Sequence, residues 1–491
     1  MENRRHFPLW QIGFFVIIFV IVFSFFTKAH LLVPYDGDDW ANLSSMRNAV
    51  PMWKGYNPIK ILPEDLFPLV GLIAAYVTYP IFGDYVYSIA ATSAFVFSLI
   101  ICLYLYLFYR LVQAWFSLSD YAAILTTATF FLMHFCLFYG KGKTTAYLLG
   151  TVNLTCVYHY VIPALVNVCM VLYFARFDFP HRQKRELSLV QGSILFLSLY
   201  LAIFSNALSN IILITYIVCV GLMQVFKDRD YWGNCEAFFK ENRLYLGILI
   251  VWLIALLFEA NGGRARDIGK GIFDLPVAAT WHFFVATVLQ ISKSVAIFGA
   301  LLVCASVYVS YKRKDCFYGK LLFVWLAASF ISFVYLLLLC SKAEPAYFAR
   351  SDVFISFIIW SVLFICLSAA YLLVKMPKLS YLLPICVLFF TMQASIGGSF
   401  TENIMGQIDP KICYQIDNDI IQQVQEADRE GKSEMVLRVP KGDNKDNWPH
   451  PMYMGGNLAR TLYKHGLISK PIKITIQPDT SINEKYHIKV Q

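Results

Sequence analysis

Three carboxylates, Asp36, Asp38 and Asp39, stand within four residues in the stretch VPYDGDDWANLSSMR, residues 33–47. A positioned carboxylate can take the proton of a hydroxyl as that oxygen attacks. Two close carboxylates raise one another's pKa or share a cation, which suits a base or a metal ligand. These acids follow directly on the apolar run PLWQIGFFVIIFVIVFSFFTKAHLL, where a hydrophobic helix would leave a bilayer. Charge beside hydrocarbon is costly and anchoring does not require it, so the acids call for another reason. The plainer reading is a turn at Asp36-Gly37-Asp38, with Asp38 or Asp39 capping a helix over WANLSSMR. One of them is expected to cap, and three acids exceed what a cap needs.

The second set of residues is basic. Arg47 closes the same stretch. Lys141 and Lys143 lie in GKGKTT, Arg264, Arg266 and Lys270 in EANGGRARDIGKG, and Arg350 in KAEPAYFARSD. Arginine and lysine neutralise phosphate oxygens through charge-assisted bonds, so these cations are candidate substrate contacts; a solvated turn is the competing reading of GGRARDIGKG. Arg350 is the strongest of them, because it immediately precedes an apolar span. His159, in Tyr158-His159-Tyr160, joins the substrate-binding candidates, although such a cluster also suits an interfacial aromatic belt. Asn206 and Asn210 would line a polar cleft or bond between helices. WPHP (448–451) and His465 have no metal-ligand or triad spacing and read as structural.

The elements that must position these groups are membrane helices. The chain has 491 residues, 58% hydrophobic and 16% aromatic, with a mean hydropathy of +0.57. Soluble domains are less apolar, so a polytopic α-helical membrane protein is expected. The first run is too long for a signal-peptide core and is kept as a helix. The twelve cysteines show no CxxC pair, which indicates neither a disulfide framework nor a zinc cluster. Spanning runs lie near 8–31, 85–109, 121–139, 157–175, 188–204, 207–226, 244–260, 283–310, 320–341, 352–374 and 380–397, about eleven in all. The Pro-broken segment 66–83 decides the parity. The loops 174–186, 226–243, 311–315 and 374–378 and the start MENRR are basic, and basic loops collect in the cytoplasm. They share one side only if 66–83 lies as a juxtamembrane or re-entrant helix. The N-terminus is then cytoplasmic, and the first outer loop, 32–84, faces outward with the other candidates. Residues 1–399 form the transmembrane domain. Residues 400–491 read as a small extracytoplasmic α/β domain, with helices at 418–431 and 457–465 and strands at 434–440 and 471–478.

Cations on an outer membrane face suggest a polyprenyl phosphate, and the acids then suit transfer of its sugar to an acceptor hydroxyl. With YDGDDW after the first helix, the Pro-broken segment and AYFARSD before a late helix, the chain resembles the bacterial membrane glycosyltransferases of GT-C type. More narrowly, it is similar to the glucosyltransferases that decorate O-antigen and convert serotype. The resemblance implies an inverting hexosyltransferase of the bacterial inner membrane with a polyprenyl-phosphate sugar donor and a cell-surface polysaccharide or lipid-linked glycan acceptor. Its general base maps to Asp38 or Asp39, and Arg350 maps to a donor-phosphate contact. The pattern does not require the C-terminal segment, which is expected to orient the acceptor. Membrane lipids are the surroundings, and no nucleic-acid partner is expected. The paired acids allow a divalent cation such as Mg or Mn, although no complete ligand set can be assembled from spacing. An O-antigen polymerase or ligase is the alternative, but those enzymes lean on a large outer loop with arginines and histidine. A flippase would need charges within its spans, and these are nearly free of them. A non-catalytic assembly partner would leave the aspartates without effect.

Overall fold

The computed structural model describes residues 9–138, 149, 153–178, 187–262, 276–396, 408–442 and 445–488. Helix α1 (Leu9–Ala29) is apolar on every side and buries little of its surface against the rest of the chain, as a lipid-facing helix does. A six-residue helix, α2 (Gly37–Asn42), carries the acids. Helix α3 (Ile61–Phe82) and the long α4 (Tyr85–Phe116) follow, then α5 (Asp120–Cys136) and α6 (Leu154–Asp178). Eight helices among the described residues are long and apolar enough to cross a membrane, and shorter apolar helices accompany them at Leu189–Ile203, Ile211–Val225, Val277–Val288 and Pro377–Gln393.

Contacts along the helices fix which segments share an end of the bundle. Helices α1 and α4 run antiparallel: Gln11 Nε2 donates to Tyr109 Oη (2.8 Å), Phe15 packs on Tyr106 and Phe19 on Phe95. The connecting segment, residues 30–84, therefore leaves and re-enters the bundle at one end. Helix α3 meets the length and apolarity needed to cross, yet both of its ends remain there. Leu62 N donates to Phe204 O in a turn between two helices, while Tyr76 and Asp84 bond to Lys464 O and Tyr414 of the C-terminal segment. The helix that contains 66–83, expected to lie as a juxtamembrane or re-entrant helix, begins five residues earlier, at Ile61. At the opposite end, Trp115 Nε1 donates to Ala175 O (3.0 Å), Tyr216 and Tyr245 donate to Asp178, and Lys375 pairs with Asp315 at 2.6 Å. The described parts of the basic loops gather at this second end.

The apolar run at 283–310 is two helices rather than one. Val277–Val288 stops and Lys293–Arg313 restarts. Between them Ile291 bridges to Phe138, and Ser292 N donates to Leu137 O (2.8 Å). Backbone pairing to the end of α5 consumes these residues, which hydropathy along one segment cannot register.

The C-terminal segment forms two parallel strands, β1 (Glu434–Pro440) and β2 (Lys473–Asp479), with Glu434 opposite Lys473 and Pro440 opposite Asp479. Parallel strands need a crossover, which the helix Met454–Lys464 supplies. Leu437 and Val439 face inward with Ile474 and Ile476, against Ile416, Ile420 and Val424 of the helix Pro410–Arg429. That helix starts eight residues before the expected position, because Asp409 caps it, accepting from Lys411 N, and Pro410 fills its first turn. The segment clasps α2. Thr461 Oγ1 donates to Trp40 O (2.7 Å), Lys464 Nζ to Ser44 O (2.8 Å), and Gly37 N to Pro449 O (3.1 Å). A Cβ at Gly37 would lie 2.9 Å from both Pro451 and Tyr453, so this close approach requires glycine.

Candidate active site

The three acids of α2 have separate fates, set by where a short helix points each of them. Asp36 is the N-cap: its Oδ1 accepts from Asp38 N and Asp39 N at 2.9 Å each, and its Oδ2 accepts from Asn153 Nδ2. Asp39 completes a capping box by accepting from Asp36 N. It also accepts from Tyr35 N (3.0 Å) and from both Thr155 N and Thr155 Oγ1 (2.6 Å each). The cap is thus Asp36, where Asp38 or Asp39 was expected, and Asp36 and Asp39 together stitch α2 to the start of α6. Both are fully buried. Burial lifts the Asp39 carboxyl to about 6, against the pull of its donors. Asp36 is raised well above the carboxylate range, by burial first and the adjacent Asp39 next.

Beneath them lies Asp417, completely buried, with neither carboxyl oxygen bonded among the described residues. Burial, and then Asp39 and Asp36, hold its carboxyl neutral well above the usual range. Sequence reading did not single out Asp417, since one acid in an amphipathic helix carries no signal.

Asp38 points the other way. It is exposed, its Oδ1 accepts from Tyr453 Oη (3.1 Å), and it lines a cleft of about 740 Å³ at this end of the bundle. The cleft is also lined by Arg47, Lys60, Glu64, His159 and Arg350. Arg350 is held in place. It makes a fork to Asp352, Nε to Oδ1 at 3.1 Å and Nη2 to Oδ2 at 2.6 Å, and lies between the Tyr160 and Tyr347 rings at 4.8 and 5.2 Å. Its Nη2 also donates to Cys156 Sγ (2.9 Å), and Nη1 has no partner among the described residues. Burial works against the Arg350 charge, but the adjacent Asp352 carboxylate and the other groups around it outweigh burial and hold the guanidinium pKa well above its ordinary value, so the cation is permanent. Arg47 is anchored by Glu64 through Nε and by Asn57 O through Nη1. His159 donates from Nδ1 to Thr155 O (2.9 Å) and sets Nε2 3.8 Å from Glu64. It is buried in the bundle and belongs to the cleft wall, in addition to any interfacial role.

The structure therefore brings together Asp38, Arg47, His159 and Arg350 around one space and withdraws Asp36 and Asp39 from it. Lys141, Lys143, Arg264, Arg266 and Lys270 lie outside the described residues. Asn206 and Asn210 are bonds between segments, donating to His159 O (2.6 Å) and Ile203 O (2.9 Å). Cleft residues that sequence reading did not assign to the site include Lys60 and Glu64, and Trp448 and Arg460 of the C-terminal segment. His465 is structural as expected, bonded to Tyr85 Oη at 2.6 Å. Among the described residues, no group of three or more His, Cys, Asp or Glu side chains is arranged to hold a metal ion. With Asp36 and Asp39 committed to protein donors, the paired-acid ligand set does not fit a divalent cation.

No protein-family model matches the chain, and no curated protein does. Among solved structures, the chain is similar to the Archaeoglobus fulgidus oligosaccharyltransferase in its complex with Zn and sulfate. The identity is 15% and the TM-score 0.32, over 78% of this chain and 53% of that one. The chain thus spans about half the length of that structure, and a likeness of this size does not establish a shared fold.

Proposed function

We propose that this chain is a membrane glycosyltransferase that moves a sugar, as an inverting hexosyltransferase, from a polyprenyl-phosphate donor to a hydroxyl of a cell-surface glycan. The single observation that carries the reading is the cleft: an exposed carboxylate, Asp38, lines a space that Arg47, Lys60 and Arg350 also line, while Glu64 there is paired with Arg47. The described basic segments at the far end support a reading in which the cleft end and the C-terminal segment face outward from a bacterial inner membrane.

The chemistry follows from the residue types. Arg350 and Arg47, with Lys60, hold the donor phosphate. Their positions are fixed before substrate arrives, so charge developing on the leaving phosphate meets donors that need no reorganisation. An acceptor hydroxyl placed against Asp38 gives it the proton while the oxygen attacks the anomeric carbon. The new C–O bond forms as the bond to phosphate oxygen breaks, and the bonding pair leaves with the phosphate. Attack from the side opposite the leaving group inverts the anomeric centre.

The test is the donor class. Purified full-length protein in detergent is given radiolabelled hexose on polyprenyl phosphate or, separately, on a nucleoside diphosphate, with surface glycan as acceptor. Transfer from the lipid-linked donor alone is the expected result. Transfer only from the nucleotide sugar, or from neither, contradicts the proposal.

A further inference from the structure

We propose that the segment 447–460 is the acceptor wall of this cleft, and that a pyranose ring of the acceptor glycan packs on the Trp448 indole between Asp38 and Arg460. The inference rests on the glycosyl-transfer reading and adds the place where the acceptor binds.

The cleft has two walls of different chemistry. Arg47 and Lys60, from the loop between α2 and α3, and Arg350, just ahead of the helix Ser351–Lys375, are residue types suited to phosphate. Trp448, Asn42 and Arg460 line the same cleft with Asp38, and Trp448 is half-buried there. Trp448 Nε1 is buried with no partner among the described residues, so the cleft meets the carbon surface of the ring rather than its polar edge. A pyranose has one face of C–H groups and a rim of hydroxyls. It therefore suits an aromatic surface edged by an amide and a guanidinium. Arg460 is fixed there, with Nη2 donating to Asn457 Oδ1 (3.0 Å) and Ala41 O (3.4 Å).

The segment also holds the proposed base. Tyr453 Oη donates to Asp38 Oδ1 at 3.1 Å, which leaves Oδ2 without a partner among the described residues. A hydroxyl that gives its proton to Asp38 must lie within hydrogen-bond reach of it, so the rest of its sugar falls on the Asp38 side of the cleft. That side is the C-terminal segment, and the cations are left for the donor. The clasp on α2 through Thr461, Lys464 and Pro449 makes the two parts one wall.

Saturation-transfer NMR tests this on the full chain in detergent, with polysaccharide released by mild acid from the surface of the producing cell as the probe. The wild type is expected to saturate the sugar ring protons. Trp448→Leu, which keeps apolar bulk without a ring, is expected to weaken the signal at least tenfold, and Trp448→Phe to restore most of it. Polyprenyl-phosphate binding is expected to stay within twofold in both, which also reports that the variants are folded. An equal signal from wild type and Trp448→Leu, or no signal from the wild type, overturns the proposal. Binding needs no turnover, so the two readings fail separately. A chain that binds the glycan through Trp448 but transfers nothing contradicts the enzymatic reading alone, whereas transfer with an unchanged acceptor KM in Trp448→Leu contradicts the subsite alone.

Discussion

The two ends of the helix bundle use charge differently. At the end carrying the basic loops, acids are consumed by their neighbours: Asp178 accepts from Tyr216 and Tyr245, and Asp315 accepts from Phe317 N and Tyr371 while pairing with Lys375. These bonds tie helix ends together. At the cleft end the same currency of arginine and aspartate surrounds a space, and Arg350 is pinned by Asp352 on one side while its remaining nitrogen is left for something else. The difference separates charge that closes a fold from charge that lines a cleft. It recurs within α2, where Asp36 and Asp39 close the fold and Asp38 does not.

Substitutions at the acids are the sharpest way to break this comparison. Asp38→Asn is expected to lower transfer by about a thousandfold, the scale of a lost general base, with expression and membrane insertion unchanged. A folded Asp38→Asn enzyme with near wild-type turnover would remove Asp38 from the chemistry. Asp39→Ala should act through the fold instead, because it strips acceptors from buried backbone N–H groups. A loss of about 3 kcal/mol or more is expected, read as a lowered melting midpoint of the detergent-solubilised protein.

The same pair gives a pH signature. Asp39 holds its proton to about pH 6 when folded, whereas an unfolded aspartate releases it near 3.8. The folded state therefore binds more protons between these values, and this contribution to stability falls as pH rises through that window. Melting midpoints from pH 4 to 6.5 are expected to show this decline, and Asp39→Asn is expected to flatten it. A slope unchanged in Asp39→Asn would mean that the carboxyl is not sealed in the way described.

On the cationic wall, Arg350→Lys keeps a charge beside Asp352 but loses the planar fork. Donor binding is expected to weaken about tenfold, with acceptor KM within twofold. Equal donor affinity would place the phosphate elsewhere. The smallest effect is expected at Tyr453, where Tyr453→Phe removes one hydrogen bond to an exposed carboxylate. The turnover number should fall about threefold to tenfold and the donor KM should hold. A change in donor KM alone would move Tyr453 to the other wall.

The sequence made legible what depends on local pattern. The acidic exit from α1, the clustering of the described basic segments at one end and both C-terminal strands follow from hydropathy, charge and period. It did not reveal which acid is sealed, because the partners that seal Asp36 and Asp39 are Asn153 and Thr155 on another helix. DGDD reads the same whichever residue turns outward. Trp448 and Arg460 were invisible as site residues for the same reason: WPHP has no metal or nucleophile spacing, and only the clasp of the C-terminal segment on α2 brings it to the cleft. The break at residues 289–292 likewise depends on Phe138 and Leu137, beyond any window along one apolar run.

The central claim is that Asp38 and Arg350 border one donor-binding space on one face of the membrane. Single cysteines at the cleft-lining positions 42 and 347, beside Asp38 and Arg350, in a chain whose native cysteines are replaced, can be labelled in sealed vesicles with a membrane-impermeant maleimide, with and without polyprenyl phosphate. Both are expected to label from the same face and to be slowed together by the lipid phosphate; labelling from opposite faces, or rates unmoved by the lipid, would contradict the account.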